Sequence, residues 1–175
     1  MRSPRVGHLG DGSLYLLWKN DGNCCALDTW IYAQRLSPDG LRLLGRPARL
    51  VKQDAGWEAS VVEAPTLSKR DGAYVLLFSG NDYASDFYAV GYAMCDRPLG
   101  PCADAPENPI LKAGCGATGP GHQAVFDVDD ETWIAYHARP GQEGGDKRVL
   151  WLDKLLWEDG RPIVKGPTCG EQPVP

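Results

Sequence analysis

Apolar residues along this chain come in short runs that alternate with polar or small ones. Examples are 12-GSLYLLW-18, 29-TWIYAQRLS-37, 72-GAYVLLF-78, 88-YAVGYAMC-95, 131-ETWIAYH-137 and 147-KRVLWLDKL-155. No segment sustains the i, i+3, i+4, i+7 spacing of an amphipathic helix, and β-branched and aromatic residues dominate the runs, so the pattern predicts strands. Further strands are predicted at 47-PARLV-51, 60-SVVEAPTLS-68, 109-PILK-112 and 122-HQAVFDV-128, with a first one blurred by Pro4 and Gly7.

The runs repeat. The segments at 12-GSLYLLW-18, 72-GAYVLLF-78 and 131-ETWIAYH-137 are each entered through an acidic turn and recur about every sixty residues. Each is followed by a loop and a second alternating run. Four short antiparallel strands per repeat is the make-up of a propeller blade, so the expected fold is an all-β propeller with blades at about 1–53, 54–113 and 114–175. Three blades are too few to close a ring. Either further blades belong to it, or open blade edges pair with another copy.

At 175 residues and 43% hydrophobic composition, the chain has the make-up of a globular domain. A net charge of −5 and the lack of a Lys/Arg cluster argue against nucleic acid as a partner. No apolar run is long enough to span a bilayer, and 1-MRSPRVGHLG-10 has no signal-peptide core. The six cysteines lean towards an oxidising compartment. Cys95 and Cys102 bracket the turn-forming 96-DRPLGP-101 and are the best single pair; Cys24 and Cys25 are adjacent, and Cys115 or Cys169 are the more plausible partners for them.

Chemistry concentrates at one carboxylate. Glu63 stands between Val61, Val62, Ala64 and Pro65, neighbours that offer little solvation, and desolvation raises a carboxyl towards the range of a working general acid. The plainer alternative is an inner-strand residue hydrogen-bonded to backbone. His122 follows Gly119, Pro120 and Gly121, so backbone can approach closely there; a satisfied structural histidine is the equal alternative. Trp30, Trp57 and the loops 20-NDGN-23 and 81-NDYASDFY-88 offer rings to stack on a sugar and amides to bond its hydroxyls, although rings at strand ends more often pack. Cys115, His122 and His137 lack zinc-ligand spacing, and 114-GCGATGPGH-122 lacks the Lys-Ser/Thr ending of a phosphate loop. The run 127-DVDDE-131 reads as a solvated hairpin turn.

Four stretches, 62-VEAPTLSKRDGAYVLLFSGNDY-83, 88-YAVGYAMCDRPLGP-101, 119-GPGHQAVF-126 and 148-RVLWLDKLLWEDGRP-162, together resemble glycoside hydrolase family 43, the five-bladed propeller arabinofuranosidases, xylosidases and arabinanases. The resemblance implies the last three blades of five, the N-terminal blades being absent. It implies an inverting mechanism in which Glu63 matches the general acid, His122 the axial histidine that often holds a water or calcium ion, and Arg148 a basic residue near the sugar. The base Asp would lie in a blade upstream, and the position of the Asp that tunes the acid matches Ser3. The resemblance further implies no required cofactor, a plant-type pentose polysaccharide or oligosaccharide as substrate, and an extracellular location. The rival expectations are a propeller that binds sugar without turnover and an inactive fragment.

Overall fold

The computed structural model describes residues 4–9, 11–141 and 147–173. Twelve strands form three four-stranded antiparallel sheets, each a meander in chain order. The first holds β1 (Arg5–His8), β2 (Leu14–Lys19), β3 (Trp30–Leu36) and β4 (Leu43–Lys52). The second holds β5 (Val62–Arg70), β6 (Ala73–Gly80), β7 (Ala89–Cys95) and β8 (Cys102–Asp104). The third holds β9 (Ala117–Val128), β10 (Glu131–Pro140), β11 (Val149–Glu158) and β12 (Arg161–Lys165). The first strands β1, β5 and β9 lie against one another, and the sheets fan out from them as propeller blades.

The cores lie between sheets. Leu17, Ile31 and Val51 of the first sheet pack on Leu76, Phe78 and Ala93 of the second. Val75, Leu77 and Tyr92 of the second pack on Ile134, Tyr136 and Leu155 of the third. Strand β6 therefore sends alternate side chains to both neighbours, which is why 75-VLLF-78 reads as a continuous apolar run and is fully buried.

Two strand assignments differ from the sequence pattern. The segment 109–112 contributes only an isolated bridge, Val90 to Leu111, and β8 holds the edge of the second sheet instead. The Asn108 side chain explains this. Its amide donates to Tyr92 O at 2.8 Å and its oxygen accepts from Tyr92 N at 2.9 Å, occupying the backbone groups that a longer edge strand would need. The edge strand β12 was masked by its Pro162. Pro4 and Gly7 do not prevent β1, where Gly7 lets Leu17 come close.

Cys95 pairs with Cys102 as the turn predicts. The pairing expected for Cys24 and Cys25 is corrected: Cys115 and Cys169 join each other, and the adjacent Cys24 and Cys25 are joined to one another. The close of the third sheet brings residue 169 back to Cys115, just ahead of β9, while Cys24 and Cys25 stand in the β2–β3 connection of the first sheet.

Trp57 also departs from the sugar-contact expectation. Its ring lies over Gly80 and Gly91, where an added Cβ would meet it at 2.6 Å in each case, and it tilts against Phe78 at 5.7 Å. The two glycines make the slot that the indole fills. Gly91→Ala should therefore cost about 1–3 kcal/mol of stability through overpacking, read as a lower midpoint in urea, with the loss only partly relieved in a Trp57→Phe background because the added methyl also meets Asn108 Cγ at 2.8 Å.

Candidate active site

The innermost strands of the second and third sheets break in the same way. In β5 the register slips by one residue between Glu63 and Thr66, and in β9 the matching slip lies opposite Ala135 to His137. Each bulge holds a residue in the left-handed region, Ala64 at φ 52° and His122 at φ 57°. A bulge of this kind re-aims the side chains around it. Gln123, fully buried, joins the two: its amide donates to Ala64 O at 2.9 Å, its oxygen accepts from Ser79 Oγ at 2.9 Å, and Ser79 Oγ accepts from His122 N at 2.8 Å.

Glu63 is only 8% exposed and its two oxygens have different partners. Tyr88 Oη donates to Oε1 at 2.8 Å, and Lys19 Nζ stands 3.3 Å from Oε2. Burial, then the neighbouring Glu63 carboxylate, hold the Tyr88 phenol well above its ordinary pKa, so it remains a donor. Tyr88 reaches Glu63 because Gly121 has no side chain: a Cβ there would meet the Tyr88 ring at 2.1 Å. Lys19 is itself 3% exposed and also faces Asp21 and Asn23, each at 3.5 Å.

Above Glu63 opens a cavity of about 420 Å³ lined by Lys19, Asn23, Asn81, Tyr83, His122 and Arg148 among others. Of the residues singled out from sequence, Glu63, His122 and Arg148 meet here, with Asn23, Asn81 and Tyr83 from the two predicted loops. The Arg148 guanidinium lies 5.3 Å over the Tyr83 ring. Trp30 does not reach this cavity. It sits beside Arg49 and Lys52 and lines a separate outer cleft with Asp54 and Asp104. Trp57 is held in its glycine slot. Lys19 is not singled out by the sequence, and Tyr88, the last residue of the loop 81-NDYASDFY-88, bonds Glu63 instead of facing the cavity. The alternation of buried Tyr15 and Leu17 in β2 does point Lys19 inward, a signal available in the sequence.

His122 and His137 lie with ring centroids 6.1 Å apart, and His137 stacks on Tyr88 at 5.7 Å. Burial, then Arg148 and His122, lower the His137 pKa to about 4. Burial, then Arg5, lower that of His122. The donor set does not fit calcium at His122. Two guanidinium groups act on it, and among the described residues the one cluster of three convergent metal-ligating side chains lies elsewhere. Ser3 lies outside the described residues.

A profile of glycosyl hydrolases family 43 matches residues 4–162. The chain belongs to this family. A solved thermostable family-43 glycoside hydrolase shares the fold at TM-score 0.86 and 33% identity, with 97% of this chain and 59% of that one aligned. A β-D-galactofuranosidase of Aspergillus niger is 30% identical over 59% of this chain and 31% of its own. A xylosidase/arabinosidase of Butyrivibrio fibrisolvens is 26% identical over 85% of this chain and 32% of its own. The family 43 chain thus spans about a third of the length of these two curated relatives.

Two outcomes follow from the geometry. Lys19→Met leaves a buried carboxylate without its cation and should cost about 3 kcal/mol in denaturant unfolding; adding Glu63→Gln should recover much of it. For His137 the unfolded chain takes up a proton near 6.5 and the folded chain only near 4, so stability is lost as pH falls through that window. His137→Phe, which keeps a ring against Tyr88, should flatten the acid side of a Tm-against-pH curve.

Proposed function

We propose that this family 43 chain carries the acid side of an inverting glycosidase site for arabinose- or xylose-containing polysaccharides or oligosaccharides, with Glu63 as general acid and Arg148 binding the sugar. The observation that carries the reading is the position of Glu63: a nearly buried carboxylate that lines a polar cavity together with Arg148, Tyr83 and Asn81. Inversion needs a second carboxylate about 6.5–9.5 Å from the acid to activate water on the far face of the sugar. Asp82 also lines the cavity, but it is exposed and its Oδ1 accepts from Ala84 N at 2.9 Å in a surface turn. We assign the base to a carboxylate outside the described residues. The fit of this chain to 59% of the thermostable hydrolase supports a reading as three blades of five.

The xylosidase/arabinosidase name of one relative supports a pentose, and the galactofuranosidase name of another supports a furanose ring. Enzymes of the family generally need no cofactor. No described helix is long and apolar enough to cross a membrane, and the disulfides are compatible with an extracellular protein, the location we propose. The outward faces of the first and third sheets, the latter with Leu150 at 79% exposure, are where further blades or a second copy would pack.

A second reading, sugar binding without turnover, is favoured by the Lys19–Glu63 ion pair, because an acid must present a protonated oxygen to the leaving group. Aryl and alkyl α-L-arabinofuranosides and β-D-xylosides, offered to a protein that joins this chain to the segment carrying the assigned base, separate the two readings. Under the catalytic one, Glu63→Gln lowers kcat about 10²–10⁴-fold on the alkyl glycosides and less on nitrophenyl glycosides, whose leaving groups need little proton transfer. Calorimetric binding of the oligosaccharide with no hydrolysis at any pH would establish the second.

A further inference from the structure

We propose that Asp54, Glu58 and Asp104 form a calcium-type cation site that clamps the first sheet to the second, at the outer side of the molecule and separate from the sugar cavity. Asp54 and Glu58 stand in the connection from β4 to β5, and Asp104 ends β8. One carboxylate oxygen from each lies within 4.8 Å of the other two, and two oxygens that share a calcium ion at about 2.4 Å can be no farther apart than this.

Two further observations point to a ligand. Glu58 is 0% exposed, and although its Oε2 accepts from Asp54 N at 2.8 Å and Ala55 N at 2.9 Å, its Oε1 has no donor; neither has the buried Oδ1 of Asp104, and the two carboxyl groups face each other within hydrogen-bonding reach, where only a shared proton or a cation can join them. Among the described residues no Lys, Arg or His ion-pairs with any of the three. Lys52 lines the same cleft but is committed to Asp28 at 3.4 Å. Buried carboxylates stay in folded proteins when they are paired, protonated or bound to metal.

The chemistry selects the ion. Three hard oxygens without nitrogen or sulfur favour calcium over zinc, and the exposed Asp54 leaves room for water to complete the shell. The clamp also bears on the cavity rim. Glu58 O accepts from Val61 N at 3.1 Å and from Asn81 N at 2.9 Å, so an ion on the Glu58 carboxylate steadies both.

The competing arrangement is a proton shared between Glu58 and Asp104. Terbium titration of the purified chain with excitation of tryptophan tests the site, since Trp30 lines the cleft and Trp57 adjoins Glu58. The proposal expects saturable terbium emission, displacement by calcium, and a Tm rise of roughly 5–10 °C when calcium reaches about a hundredfold excess over Kd. Asp54→Asn, at an exposed position, and Asp104→Asn should each weaken binding tenfold or more. The site is overturned if about 10 mM calcium leaves Tm unmoved at pH 7.5, if both variants respond as the parent does, or if Glu58→Gln raises Tm without any calcium effect in the parent, which is the signature of the shared proton.

Discussion

The buried amide of Gln123 is the contact on which the rest of the candidate site depends. It sits in the bulge of β9, yet its hydrogen bonds go to the second sheet, to Ala64 O and Ser79 Oγ. Those bonds satisfy an amide that has no access to water, and they fix the bulge of β5 against the bulge of β9. Both bulges carry a non-glycine residue in the left-handed region, a conformation that surrounding structure has to impose. A strand continuing regularly through Glu63 would lack this break in register, so the aim of the carboxylate into the cavity is a product of the neighbouring sheet as much as of its own.

With the backbone fixed, charge sets what Glu63 can do. Tyr88 donates to one of its oxygens and Lys19 stands as a counter-charge beside the other, and both are buried. The phenol tolerates either protonation state of the carboxyl. The ammonium does not, because it gains most from a full negative charge. For Glu63 to act as the proposed acid, a bound sugar or a further acidic group has to draw Lys19 away or share it. Asp21 already faces Lys19 on its other side, which makes such sharing a matter of a small shift.

The periodicity of the chain carried the architecture because blades are local: each sheet is a meander of consecutive strands, and alternation along one strand reports its own two faces. The loop residues Asn23, Asn81 and Tyr83 were legible for the same reason, being polar tips between predicted strands. What the sequence hid was set by distant partners. Trp57, a candidate for sugar contact with packing as the commoner alternative, is held in a slot floored by Gly80 and Gly91. Tyr88 looked like the end of a polar loop, and only the absence of a side chain at Gly121 lets it turn inward. Strand β8 displaced the predicted strand at 109–112 because one asparagine side chain took the backbone groups first.

The cavity draws Lys19 from the first sheet, Glu63 from the second, and His122 and Arg148 from the third. No single blade holds enough of it to work alone. Its geometry consequently rests on the two inter-sheet cores, and any relative tilt of the blades would part Lys19 from Glu63 before it disturbed either sheet internally. The contacts that resist such a tilt differ from one sheet boundary to the next. Between the second and third sheets, Gln123 ties the inner strands and the Arg70–Asp127 and Arg161–Glu107 pairs bridge the periphery. Between the first and second, the outer edge presents uncompensated carboxylates instead, at Asp54, Glu58 and Asp104. Like charges meet there, so in the proposed site a shared proton or an ion takes the place at this boundary that the Arg70–Asp127 and Arg161–Glu107 pairs hold at the other.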